Sequence, residues 1–272
     1  DYLSRPDVTI DSNQIYHNRV LAIGSIGFSQ RRFYKDQLIF GYGRTEDIPY
    51  GSAIEFLGGH EWGEFYNRKY LGMRLSQGTF IGNAGYISSS FILESYLNGR
   101  VWEQGVIRAD ARFISSLIDL NKWKFRQFFT LNYTKGIHRF ENEYIDIRDR
   151  NGIRGLKSNT FRGTQRFLIN AETVSFTPLE LLHFRFAIFG FFDLGFVNNT
   201  NEDIFNAETQ HGFGLGLRIR NDNLTFKTIE VRLGYYPNAP IGIDNFDFDF
   251  SGNSGFSFSD FLIGRPEINN FR

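Results

Sequence analysis

Along most of this chain, apolar and polar residues alternate one by one for about ten residues and then stop at a turn rich in Gly, Asn or Asp. Successive side chains of an extended strand point to opposite faces, so a period of two collects apolar residues on one face. A helix would need a period of 3.6. In residues 122–134, Trp123, Phe125, Phe129, Leu131 and Tyr133 share one face, and Lys122, Lys124, Arg126, Thr130 and Asn132 share the other. Phe184, Phe186, Ile188, Gly190, Phe192, Leu194 and Phe196 alternate with positions that include His183, Arg185 and Asp193. Phe213, Leu215, Leu217 and Ile219 repeat the pattern against Gly212, Gly214, Gly216, Arg218 and Arg220, and Ile229, Val231, Leu233 and Tyr235 do so against Thr228, Glu230, Arg232 and Gly234. Such segments begin near residues 19, 36, 52, 68, 79, 102, 122, 164, 182, 210, 227 and 255. They predict an all-β chain of about twelve antiparallel strands. Composition agrees: 31 Phe, 13 Tyr and 28 Gly among 272 residues suit pleated strands, whereas helical proteins lean on Ala, Leu and Met.

Two architectures use such strands. A soluble sandwich turns the apolar face to a shared core, and an outer-membrane barrel turns it to lipid. Segments of about ten to fourteen residues suit a tilted bilayer crossing better than a sandwich. Tyr16, Trp62, Tyr66, Tyr70, Trp102, Trp123, Tyr235 and Tyr236 stand near strand ends, where a barrel places its aromatic girdles. Short turns, at Asn121 and at Pro178-Leu179-Glu180, separate long polar loops over residues 137–163 and 197–209. Taken together, these features favour the membrane barrel. No run of 18 apolar residues exists for a helical span.

Equal numbers of basic and acidic residues, 30 each, exclude a chain built as a whole to grip nucleic acid. The absence of Cys excludes disulfides, thiolate zinc sites and thiol chemistry. His17, His60, His138, His183 and His211 lack metal-ligand spacing, and His60-Glu61 does not continue to a zincin motif. Gly41-Tyr42-Gly43 and Gly212-Phe213-Gly214 open no helix and read as strand glycines. Residues 244–249 and the Glu46-Asp47 pair read as solvated acidic loops rather than calcium sites. No catalytic residue, cofactor or metal is expected. Arg108, Asp110, Arg112, Arg218, Arg220, Glu230 and Arg232 are candidate charges of a mixed-sign barrel interior.

One succession of motifs is more specific. Ile153-Arg154-Gly155-Leu156 lies in the long polar loop, and Phe167-Leu168-Ile169-Asn170-Ala171-Glu172 follows it. Phe191-Phe192-Asp193-Leu194-Gly195 and then Gly212-Phe213-Gly214-Leu215-Gly216-Leu217-Arg218 complete the series. This order resembles the C-terminal barrel of the BamA superfamily, the outer-membrane assembly factors and two-partner-secretion transporters of the bacterial-surface-antigen type, over residues 150–265. The resemblance implies that the loop folds into the lumen and carries Ile153, Arg154, Gly155 and Leu156, with Leu156 where the family has an aromatic residue. It implies that Arg154 meets Glu172 and Asp193. The residues agree, since two carboxylates on the polar strand faces of a confined interior repel unless a cation stands between them, and a guanidinium can bind both. Gly43-Arg44-Thr45-Glu46-Asp47-Ile48-Pro49-Tyr50-Gly51 is a further, weaker likeness, read as a loop or turn.

Family barrels have sixteen strands, with the long loop before the twelfth. About five strands follow Arg154 here and about seven precede it. The chain is therefore read as one outer-membrane barrel domain, 1–272, lacking N-terminal strands and periplasmic domains. The resemblance implies a non-enzymatic role in inserting or secreting proteins at the bacterial outer membrane. Its implied partners are outer-membrane lipid, nascent outer-membrane or secreted proteins, and periplasmic or lipoprotein accessory subunits, with no nucleic acid. It also implies a weak lateral seam on a last strand over 255–264, with Gly255, Phe258, Phe261 and Gly264 as its residues. The barrel anchor or pore of a fused enzyme and a diffusion porin are the alternatives.

Overall fold

The alternating segments pair with one another in chain order. The computed structural model describes residues 7, 9, 11, 13, 16–39, 45–149, 152–158, 160–221, 228–252, 261–269 and 271. Before the long loop lie β1 (Arg19–Gln37), β2 (Thr45–Gly63), β3 (Asn67–Ile81), β4 (Gly85–Asn98), β5 (Val101–Ser115), the short β6 (Ile118–Leu120) and β7 (Trp123–Ile137). Inside the loop are β8 (Ile145–Asp146) and β9 (Arg162–Gly163). After it come β10 (Gln165–Leu181), β11 (Phe184–Asn198), β12 (Thr209–Asn221), β13 (Ile229–Tyr235) and β14 (Phe246–Ser251). Twelve strands form one sheet in the order β1-β2-β3-β4-β5-β7-β10-β11-β12-β13-β14, with β6 beside β7, and β8 and β9 form a separate ribbon. Every pairing in that sheet is antiparallel, the meander expected of a barrel wall.

The sheet is strongly curled. Arg126 on β7 donates to the Gln37 carbonyl on β1 at 2.7 Å and to Asp36 at 3.1 Å. In a flat sheet strands five places apart would stand about 24 Å from each other. Among the described residues no pairing joins β1 to β14, the two ends of the strand order.

Curling sorts the two faces. Leu71, Phe129, Leu131, Ile188, Leu215 and Leu233 lie on the outer face and are exposed. That overturns the sandwich alternative, in which these side chains would meet a facing sheet. The inner face holds charged residues and, towards one rim, an apolar cluster that includes Ile48, Tyr86, Ile114, Phe128, Val174 and Phe189. That rim carries the tight connections 82–84, 121–122 and 182–183, and the opposite rim carries the long connections 138–164, 199–208 and 236–245.

Several elements differ from their sequence reading. The Thr45 to Gly51 part of the expected turn motif lies in β2, and residues 40–44 lie outside the described residues. Pro178 sits inside β10, at a register shift between Phe176 and Glu180 that spares it a ladder hydrogen bond. Residues 246–251 form β14 rather than a solvated loop, with Phe246, Phe248 and Phe250 outward and Asp247 and Asp249 toward Lys157 and Arg232. The acidic side chains are the inner half of an alternation. Among the described residues five sheet strands thus follow the loop, and the fifth is β14.

The strand expected over 255–264 fails at its described end. Phe261 to Gly264 carry no pairing, and Phe261 is buried. Gly255 and Phe258 lie outside the described residues. Pro266, just beyond, has no N–H to give a ladder. Of the expected girdle, Trp62, Trp102 and Trp123 are exposed, whereas Tyr70 and Tyr236 are buried inside with their hydroxyls bonded to Glu94 and to the Arg154 carbonyl.

Candidate functional site

The connection between β7 and β10 turns into the barrel because its tip is apolar. Ile147, Ile153 and Leu156 pack with Leu168, Val197 and Tyr236 in one buried cluster. Removing each Ile or Leu side chain from water contributes about 1.5–3 kcal/mol, which offsets part of the entropy of ordering the loop tip. The pairing of β8 with β9 closes the loop's base, and Arg148 bridges to Ile153 near its tip. At Gly155 the backbone has φ +80°, and an added Cβ would collide with the Tyr236 hydroxyl. The Gly155 N–H donates to Asp149 Oδ1 at 2.8 Å, and Tyr236 donates to the Arg154 carbonyl.

This tip delivers Arg154 to two carboxylates on neighbouring strands. Its Nε donates to Asp193 Oδ2 at 2.9 Å and its Nη2 to Asp193 Oδ1 at 2.7 Å, a bidentate pair. Nη1 pairs with Glu172, and the Arg154 N–H adds a bond to Asp193 Oδ2 at 3.0 Å. Asn170 donates to Asp193 Oδ1 at 2.9 Å and to the Gly152 carbonyl at 3.2 Å. The Asp193 side chain has 0% exposure, so nearly all its stabilisation comes from these donors rather than from water. Burial alone would disfavour the Arg154 charge, but Asp193 and Glu172 outweigh it and hold its pKa above the ordinary arginine value.

The charges continue across the wall. Glu172 is shared with Arg218 at 2.7 Å, and Arg218 reaches Glu230 at 2.8 Å. Asp193, Arg154, Glu172, Arg218 and Glu230 therefore alternate in sign through β11, the loop, β10, β12 and β13. Phe191 lies 4.5 Å from the Arg154 guanidinium and Phe189 lies 4.2 Å from that of Arg218. Gly212, Gly214 and Gly216 make room for inward rings: an added Cβ would stand 2.7 Å from Tyr236 at Gly212 and 2.6 Å from Phe191 at Gly214, and would strike Phe189 at Gly216.

The structure thus brings together Ile153, Arg154, Gly155, Leu156, Glu172 and Asp193, and places Phe261 and Gly264 elsewhere. The sequence reading did not include Tyr236, Asn170 or the two phenylalanines in this group. A signal for Tyr236 was present: Gly212 and Gly234 leave a hole beside it on the inner face. Chemically the arrangement is a closed network of ion pairs and hydrogen bonds. Each carboxylate is committed to a guanidinium, and among the described residues no group of three or more His, Asp or Glu is arranged to hold a metal ion.

No protein-family model and no curated protein matches the chain. Its structure is similar to that of CdiB from Acinetobacter baumannii, with a TM-score of 0.53 and 16% sequence identity over 85% of this chain. The chain spans 41% of the length of CdiB. At this identity the likeness shows the fold, an antiparallel β-barrel.

Proposed function

We propose that this chain is the outer-membrane barrel of a protein conduit of the BamA superfamily, acting non-enzymatically in secretion or insertion of proteins, with the 138–164 loop as its internal latch. The observation that carries the reading is the inward loop whose Arg154 is clamped between Asp193 and Glu172. Bidentate clamping fixes a loop in one place without committing it there permanently, which suits a passage that must open for a large client. Two further observations support it. Apolar side chains cover the outer face, as lipid contact requires, and the curled antiparallel wall has a fold similar to that of CdiB from Acinetobacter baumannii. Leu156 packs in the loop-tip cluster, so the apolar role of the family's aromatic residue is kept at this position.

The clients are outer-membrane or secreted polypeptides, with lipid around the wall and accessory subunits as further partners. Removing the gene from its host is expected to deplete one or a few proteins from the outer membrane or the medium by at least severalfold, read by quantitative proteomics. Unchanged proteomes would count against the proposal. A diffusion porin is separated by conductance: the latch reading expects small, flickering currents in planar bilayers that grow in Arg154→Ala. Large steady currents indifferent to that substitution would favour the porin.

A further inference from the structure

We infer that the inner face of β1, β3, β4, β5 and β7 is a binding track for an extended polypeptide, and that residues 261–269 and 271 occupy it in cis. The inference rests on the conduit reading and names where in the barrel a client segment binds. The described part of this segment passes along the wall from one rim to the other. Phe261 is fully buried over Gly78, close to the tight 82–84 turn, and an added Cβ there would stand 2.5 Å from its ring. Its carbonyl accepts from Ser29 Oγ. Ile263 fills the space beside Gly27, where an added Cβ would be 2.6 Å away. Farther along, Arg74 Nη2 donates to the Glu267 carbonyl at 2.5 Å, and the Asn269 N–H donates to Glu94 Oε2 at 3.1 Å. Arg108 donates to the Asn269 side chain at 3.3 Å. At the long-loop rim Phe271 packs with Val106 and Ile145 under the Arg139 guanidinium, 4.2 Å from its ring, in space left by Gly136.

Two properties make this a site rather than a resting place. The polar contacts fall largely on main-chain groups at residues 261, 267 and 269, which every polypeptide possesses. Glu94, the acceptor for Asn269, is 2% exposed and is already held by Tyr70 and Arg74, so it is a built, pre-oriented group. The apolar holes at Gly27, Gly78 and Gly136 accept side chains of hydrophobic residues without further demands on sequence. Eleven residues span up to about 36 Å when extended, enough to cross a hydrocarbon layer of about 30 Å. A track that reads main chain plus aromatic or aliphatic side chains near its two ends recognises an extended, partly apolar polypeptide as a chemical class. A client taking that path meets the same groups and displaces the cis segment.

The test uses the full chain in detergent micelles and a fluorescent peptide with the sequence of residues 261–271, followed by anisotropy. Combining Phe261→Ser, Ile263→Ser and Phe271→Ser loosens the cis segment without touching the track. Replacing residues 261–271 by a Gly-Ser stretch of equal length is the second opening variant. Either opened chain, with its β-sheet circular dichroism retained, is expected to bind the peptide at least tenfold more tightly than the unaltered chain. Adding Gly78→Leu or Arg74→Ala to an opened chain is expected to remove that gain, as is N-methylating the peptide at the position of Asn269. Absence of peptide binding in both folded opened variants overturns the inference, and so does binding that ignores Gly78→Leu and Arg74→Ala. The readout needs no client, so it can fail while the proteomic test succeeds, and the reverse.

Discussion

Arg154→Ala is expected to lower the unfolding free energy of the barrel by about 3–5 kcal/mol, measured by urea titration in phospholipid vesicles. The size follows from what the substitution leaves behind. Asp193 would keep its full burial but lose both guanidinium bonds, retaining Asn170 and the residue-154 N–H. Glu172 would keep Arg218 alone. A buried carboxylate stripped of its cation is costly, while the intact pair adds little net stability, so the loss measures the orphaned charge more than the bond. Arg154→Lys is expected to recover only part of the loss, since one ammonium cannot serve two oxygens of Asp193 and reach Glu172 as well. Asp193→Asn in the Arg154→Ala background is expected to return some stability by removing the orphan. A loss below about 1 kcal/mol for Arg154→Ala would mean that the latch contributes no more than a surface ion pair.

The second large effect concerns the outer face. Leu215, 66% exposed near the middle of β12, points away from the interior. If lipid covers that face, Leu215→Arg is expected to cost about 2–4 kcal/mol of folding stability in vesicles, because the charge sits near the midplane. Leu182 is 80% exposed in the turn at the rim, and Leu182→Arg is expected to cost about 0–1 kcal/mol. The comparison is internally controlled: residue type and substitution match and only depth differs. In a water-facing sheet both changes would fall within about 0.5 kcal/mol of zero.

Much of this architecture was legible from side-chain alternation, because a period of two is imposed by strand geometry and survives wherever one face differs from the other. β7, β11 and β12 were readable for that reason. β14 was not, because its inner residues are Asp and its outer ones Phe, so a scan for charge saw an acidic loop where a scan for parity would have seen a strand. The strand read over 255–264 failed in the opposite sense at its described end: aromatic residues suggested a strand, while 261–269 carry no strand pairing and residues 255–260 lie outside the described residues. At the site, the motif residues came from succession along the chain, which can suggest Arg154, Glu172 and Asp193 without their geometry. For Tyr236 the signal lay in Gly212 and Gly234, whose holes lie beside it, but the strand register is needed to bring Gly212 of β12 next to it.

The central claim is that the curled sheet presents its apolar face to lipid and its polar face to an interior, and the most direct measurement is residue-by-residue lipid contact along β7. The chain contains no Cys, so single cysteines at 129, 130, 131, 132 and 133 can carry a fluorophore without background. In vesicles containing brominated lipids, quenching should alternate: strong at Phe129, Leu131 and Tyr133, and weak at Thr130 and Asn132. Uniform quenching, none at any position, or strong quenching at 130 and 132 would contradict the account.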